Sequence, residues 1–329
     1  MMMRMLRRHP VIHIVGETHY FDDLRTKMPS LVRAPLDDAA RRRCEDYFLG
    51  IAERGYGRRG DPESGPLPRA TLRATADALG QGSDAYFEAY CRLQAQQAGK
   101  VVWGEKTPRH VFRIAQILDS FPSARIVCMM RDPRAVVASS RDAIRNLNDA
   151  GDLPAADLEE QLRKTASYDP AIASLLWRSV TGAAVAAQRR FGPDTVRIEH
   201  YEELVAQPHN RLRELADWLR LPFSDDMLDV PQANSSYLRS GQARGVAMTP
   251  TERWRRTLSG REILIVQSIC GSRMEQHGYQ RERVGLPIHV VAQSWLALPL
   301  TLSRAVWANR RRTGNLATYV WKRLRAAMP

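Results

Sequence analysis

The pattern of apolar and polar positions is most informative over Trp103–Ser140, WGEKTPRHVFRIAQILDSFPSARIVCMMRDPRAVVASS. It reads as a lysine turn, an amphipathic helix, a short apolar run, then an Arg-Asp-Pro-Arg turn opening a second helix. The run Ile126–Met130 is too short for a helix and has the character of a parallel strand covered on both faces. Phe121-Pro122 closes the preceding helix, because proline cannot continue it and restricts the residue before it. That helix, His110–Ser120, is expected to pack on a sheet through Val111, Ile114, Ile117 and Leu118. Apolar, β-branched segments with turn boundaries predict strands at Val11–Val15, Arg125–Met130 and Thr195–Glu199. Helical signals return at Ala171–Arg190 and Arg211–Leu219. Strands and helices in this order predict a three-layer α/β domain with a mainly parallel sheet.

Between these landmarks, Asp22–Gly99 is largely helical and polar, broken by the Gly/Pro-rich stretch Gly55–Pro68. Asn146–Ala155 is a second polar break, with NLNDAGDLP as a turn cluster. It begins an insertion expected to end near Asp169-Pro170. No internal repeat is present.

Length and charge narrow the picture. A chain of 329 residues is ample for one α/β domain with a full core. A net charge of +13 suits anionic ligands or surfaces. Only five lysines occur, so Lys106 in the lysine turn stands out from a background of arginine. Cys44, Cys91, Cys128 and Cys270 are far apart, without a C-x-x-C pair. This pattern fits a reduced compartment and offers neither a zinc site nor a disulfide framework. The N-terminus lacks the apolar core and cleavage site of a signal peptide. A cytoplasmic location is expected.

The segment 284–329 differs from the rest. It carries seven basic residues, no acid, and Trp295, Trp307 and Trp321 among Leu, Val and Ala. The chain therefore divides into a domain over 1–283 and a basic amphipathic extension over 284–329. The extension reads either as helices packed on the domain or as a contact with an anionic membrane surface. Leu286–Leu300 is too short and too interrupted to span a bilayer. Nucleic-acid binding is not favoured, because no such motif or stacking platform accompanies the charge.

Candidate chemistry sits at strand ends. Arg131 follows the run Ile126–Met130, where open α/β sheets bind ligands in the crevice outside the strands' carboxyl ends. Ser139 lies eight residues on, about two helical turns away. A guanidinium fork with a serine hydroxyl suits a phosphate dianion. Asp132 and Arg134 are expected to fix the turn itself. Glu17 ends the apolar run Val11–Val15 in Gly-Glu-Thr-His.

At these residues the chain resembles a family. GEKTPRH followed by PSARIVCMMRDPRAVVASS is similar to sulfotransferases that use 3′-phosphoadenosine 5′-phosphosulfate (PAPS). The resemblance implies a P-loop NTPase-like fold, with Arg131 and Ser139 gripping the donor's 3′-phosphate. MLRRHPVIHIVGETHYFDDL resembles the segment that carries the general base of tyrosylprotein sulfotransferases, which maps to Glu17, with His19 the next candidate. Lys106, with Ser235 or Ser236, would stabilise charge growing on the sulfuryl group. VRIEHYEELVAQPHNRLRELADWLRLPF places Tyr201 beside the adenine. SSYLRSGQARGVAMTPTERWRRTLS resembles the loop that folds over the nucleotide and ends in Arg253-Trp254. The catalytic set implied is Glu17, Lys106 and Ser236; the donor-binding set is Arg131, Ser139, Tyr201, Ser235 and Arg253. No metal is implied.

One departure bears on activity. The family opens with a strand and a loop like G-x-x-R-S-G-T-T for the 5′-phosphosulfate, and MMMRMLRRHP corresponds to the helix after it. Either the native start lies upstream of Met1 or the element is lost, and the intact remaining motifs favour the first. The expected activity is sulfuryl transfer from PAPS to a hydroxyl or amine, with the chain as given, lacking that loop, expected to bind the 3′-phosphoadenosine half and to be inactive in transfer. Glycan, glycolipid, small hydroxylated metabolite and peptide tyrosine remain open as acceptors. The alternatives are an inactive binding protein on the same scaffold and a P-loop kinase-like nucleotide binder.

Overall fold

Four short strands carry the apolar, β-branched runs, and each pairs in parallel with a neighbour. The computed structural model describes residues 1–55, 65–148, 169–230 and 251–285, with single positions 296, 300 and 303 beyond them. Ser235, Ser236, most of the 284–329 extension, most of the 147–169 insertion and the middle of Gly55–Pro68 lie outside the described residues.

In chain order the elements are α1 (Met2–Arg8), β1 (Ile12–Val15), α2 (Leu24–Lys27), α3 (Asp38–Arg54), α4 (Arg69–Leu79) and α5 (Ser83–Gln97). Then follow β2 (Val102–Glu105), α6 (Ile114–Ser120), β3 (Ile126–Met130), α7 (Pro133–Asn148) and α8 (Pro170–Phe191). The described part ends with β4 (Val196–His200), α9 (Tyr201–Ala206), α10 (Pro208–Leu219), α11 (Trp254–Thr257) and α12 (Gly260–Gln276). Local chemistry sets several starts. The Asp37 carboxylate accepts from the Ala40 amide at 2.7 Å and caps α3. Asp169 caps α8 by accepting from Ala171 N at 2.8 Å, with Pro170 in the first helical position. Ser259 and Glu262 close a reciprocal capping box on α12.

All three strands expected from the sequence form, each shifted by no more than one residue at either end. The sheet is divided, however. β1 pairs with β2 from Ile12↔Val102 to Val15↔Glu105, and β3 pairs with β4 from Ile126↔Val196 to Met130↔His200. Among the described residues the two pairs are not bonded to each other.

They nevertheless share a layer. Ile12, Ile14, Val102 and Val127, from three strands, pack against one apolar cluster with Met2, Met5 and Leu6 of α1 and Leu212 and Leu215 of α10. On the other side, Val15 and Trp103 meet the aromatic core of α3 and α5, where Tyr20 stacks on Phe87 at 4.9 Å. There Ile126 and Cys128 meet Ile114 and Leu118 of α6 and Ala187 of α8. Helices on both faces of parallel strands give the three layers expected.

Two expectations need correction. β3 was read as covered on both faces, yet Ile126, Val127 and Cys128 are only partly buried and Met129 is 39% exposed. Met129 lies two residues before Arg131, at the carboxyl end of the strand. The predicted helix His110–Ser120 is a tight 3₁₀ segment, Pro108–Arg113, running into α6. Its apolar residues also divide: Ile114, Leu118 and Val111 join the α6–α8 cluster, whereas Ile117 packs against the α3–α5 core.

α8 is long and apolar enough to cross a membrane by length and composition alone. In the fold it packs against α7, α12 and β4, burying Ala171, Ser174, Trp177, Ala184 and Ala187 at helical spacing. All four cysteines are free.

Candidate functional site

The β1–β2 register places two chemically loaded turns side by side. Val15 faces Glu105, and the Lys106 amide extends the ladder by donating to Val15 O at 3.0 Å. Beyond this point Lys106 Nζ meets Glu17 Oε1 at 2.6 Å. His19 Nε2 lies 3.1 Å from Glu17 Oε2, so the carboxylate is gripped from two sides. The Lys106 and Glu17 side chains are 42% and 38% exposed, which leaves the pair open to a ligand. The hydrogen bond from His19, and then Lys106, lower the Glu17 carboxyl to a pKa of about 2. Held this way, the carboxylate is a weak base until one of its partners is drawn elsewhere.

The β3–β4 register builds the second half. Met130 pairs with His200, so the residues that follow, Arg131 and Tyr201, emerge together. The Arg131 guanidinium lies over the Tyr201 ring at 4.2 Å. Its Nε is buried and has no hydrogen-bond partner among the described residues. A buried donor without a partner costs free energy, so the arrangement favours an incoming anion. The backbone here is held tightly. Trp177 Nε1 donates to Arg131 O at 2.8 Å, and the Asp132 amide donates to Glu202 Oε1 at 3.0 Å. Tyr279 Oη donates to the other Glu202 oxygen at 3.0 Å. Burial, and then the Glu202 charge, push the Tyr279 phenol well above its usual range.

Asp132 and Arg134 fix the turn, as expected. Asp132 Oδ1 accepts from the Arg134 amide at 2.8 Å, and the Arg134 guanidinium stacks on Trp254 at 3.9 Å. Ser139 lies on α7, two turns beyond its start. Arg253 Nη2 is 3.6 Å from Asp142 Oδ2, three residues along from Ser139 and hence on a neighbouring part of the same helix face. Ser235 and Ser236 lie outside the described residues. His9 does not join the site; its ring contacts Pro222 O at 2.8 Å and serves packing.

The structure thus brings together Glu17, Lys106 and His19 at one pair of strand ends and Arg131 and Tyr201 at the other. The sequence reading missed Glu202, which ties the Arg131 turn to Tyr279. Its position in Tyr-Glu-Glu next to Tyr201 was the available signal. It also passed over Glu105 and Thr107, which flank Lys106. Among the described residues, no group of three His, Cys, Asp or Glu side chains is placed to hold a metal.

A family model described as "Sulfotransferase family" matches residues 1–225. Solved structures similar to this chain are also sulfotransferases. The sulfotransferase domain from the curacin biosynthetic pathway is 14% identical with a TM-score of 0.47, over 85% of this chain and 93% of that one. The sulfotransferase domain of the Synechococcus PCC 7002 olefin synthase is 18% identical with a TM-score of 0.43, over 82% and 89% of the respective chains. The sulfotransferase STF9 from Mycobacterium avium is 16% identical with a TM-score of 0.42, over 86% and 74%.

Proposed function

The chain belongs to the sulfotransferase family, and we propose that it transfers a sulfuryl group from PAPS to an acceptor hydroxyl or amine. The observation that carries this reading is the contact of Lys106 Nζ with Glu17 Oε1 at 2.6 Å, two turns brought together by strand register. The buried Nε of Arg131, without a partner among the described residues, supports a phosphate-bearing donor on the neighbouring strand pair.

In this reading Arg131 and Ser139 hold the 3′-phosphate, while Tyr201 packs beside the adenine. Arg253, paired with Asp142 near Ser139, adds positive charge to the same region. The donor supplies an electrophilic sulfur and a phosphate leaving group. Lys106 turns from Glu17 towards the sulfuryl oxygens and the leaving oxygen, where charge grows in the transition state. Glu17, relieved of that cation, becomes basic enough to take the acceptor's proton as the new O–S or N–S bond forms and the old O–S bond breaks. The same movement makes the base available only when the donor is bound. Adenosine 3′,5′-bisphosphate and the sulfated acceptor leave.

Calorimetry with Arg131→Ala tests the donor assignment. Affinity for adenosine 3′,5′-bisphosphate should fall roughly ten- to a hundred-fold, the equivalent of about 1.5–3 kcal/mol for a charge-assisted contact. Affinity for AMP should change little. Equal losses for both ligands would reject the role of Arg131.

A further inference from the structure

Glu105 and Thr107 stand on either side of Lys106 and face inward. The Glu105 side chain is 6% exposed, and among the described residues no lysine or arginine pairs with it. Its Oε1 accepts from the Thr18 amide at 2.9 Å, from Thr18 Oγ1 at 2.8 Å and from Thr107 Oγ1 at 2.5 Å. Its Oε2 pairs with His110 Nδ1 at 3.0 Å. His110 Nε2 is buried without a hydrogen-bond partner among the described residues. Burial opposes the Glu105 charge, but the hydrogen bonds from His110, Thr107 and Thr18 outweigh it and keep the carboxyl below its ordinary range.

Thr107 completes the bracket. While its hydroxyl donates to Glu105, its oxygen accepts from the amides of Thr18 and His19, each at 3.2 Å. Those amides belong to a strained turn. His19 has φ of +51°, the left-handed region that a histidine enters only when its surroundings hold it there. The far side is pinned by the amides of Asp22 and Asp23, which donate to His19 O at 3.0 and 2.9 Å. Held so, the His19 ring turns back to the Glu17 carboxylate two residues earlier.

The geometry points to Glu105 and Thr107 as positioning residues for the transfer reaction: they lock the Thr18–His19 turn so that His19 and Lys106 hold Glu17 in place from opposite sides. The inference rests on Glu17 being the base. It adds a division of labour within one motif, with Lys106 facing the ligand and its two neighbours facing the turn that carries the base. Neither Glu105 nor Thr107 touches the reacting atoms.

The test compares Thr107→Val, which keeps the shape and loses the hydroxyl, with Thr107→Ser, which keeps the hydroxyl. Carboxyl-carbon NMR of the full chain follows Glu17, its resonance assigned by its absence in Glu17→Gln. At about pH 4, near the ordinary glutamate pKa, Glu17 should stay ionised in the parent and in Thr107→Ser, and should be partly protonated in Thr107→Val. An unmoved Glu17 in Thr107→Val, or the same movement in Thr107→Ser, overturns the proposal. If Thr107→Val does not fold by circular dichroism, Glu105→Gln takes its place with the same expectation and the same overturning result. Turnover of a chain extended upstream to carry the 5′-phosphosulfate loop separates the two claims. Thr107→Val should lower kcat at unchanged KM for PAPS, and an unchanged kcat overturns the positioning role. Full activity in Glu17→Gln would instead remove the base assignment and leave the titration result standing.

Discussion

At the scale of single residues, Glu17 carries two consequences that can be measured separately. The first concerns rate. In a chain extended upstream so that it is active, Glu17→Gln keeps the shape and loses the basic oxygen, so turnover should fall by about 10²–10⁴-fold, the usual worth of a general base. Affinity for adenosine 3′,5′-bisphosphate should be nearly unchanged. Parent-like turnover would transfer the role to His19. The second concerns stability. The folded carboxyl is held down at about 2 from an ordinary 4.5, so the contribution from His19 and Lys106 is present above pH 4.5 and lost as pH falls towards 2. Acid unfolding of Glu17→Gln should lack this component and differ from the parent within that window. Arg131 and Glu17 were legible because each stands just past an apolar run, whereas Lys106 and Tyr201 were legible through the resemblance of their motifs to the family. The left-handed backbone of His19 was not, since it depends on hydrogen bonds to residues almost ninety positions away.

At the scale of elements, caps and apolar periodicity marked helices well, and the packing partner of each apolar residue was less legible. Ile117 falls in the stripe expected of α6, yet it turns to a different core from Ile114 and Leu118. A local pattern fixes the face of a helix and not the body it meets. α12 provides a test of a local device with a longer reach. Ser259 Oγ accepts from the Glu262 amide at 3.3 Å, while the Glu262 carboxylate accepts from Ser259 N at 2.8 Å and from Arg141 Nη1 at 3.0 Å. Arg141 lies on α7, so the cap also ties α12 to α7. Ser259→Ala should cost about 1 kcal/mol of unfolding free energy, and Ser259→Asp should recover most of it. Equal stability of all three proteins in urea would show that the cap contributes nothing.

At the scale of the whole molecule, the divided sheet is the main feature. The register fixes which groups each strand turns outward. The amides of Val102 and Lys106 donate to β1, so those of Trp103 and Glu105 point away from it. The Ile126 amide faces β4 by the same parity, so those of Val127 and Met129 point away. Hydrogen exchange should therefore alternate along β2 and β3, slow at Val102, Gly104, Ile126 and Cys128 and faster at Trp103, Glu105, Val127 and Met129. Uniform protection along both strands would mean that something else pairs with these edges.

The sequence by itself determined three of the four strands, their parallel direction, the helices between them and the residue types at their carboxyl ends; β2, Val102–Glu105, was not among the strands it predicted. These follow from short-range physics: β-branched runs, helical periodicity, proline stops and capping side chains act within a few positions. Tertiary structure alone decided how the strands grouped into pairs, that Arg131 lies over the Tyr201 ring, and that Lys106 and His19 close on the same carboxylate. It also decided that Glu105 and Thr107 turn inward to the Thr18–His19 turn. Those outcomes depend on contacts between segments seventy to ninety residues apart. Such contacts leave no periodic trace in the chain and arise only when the layers pack.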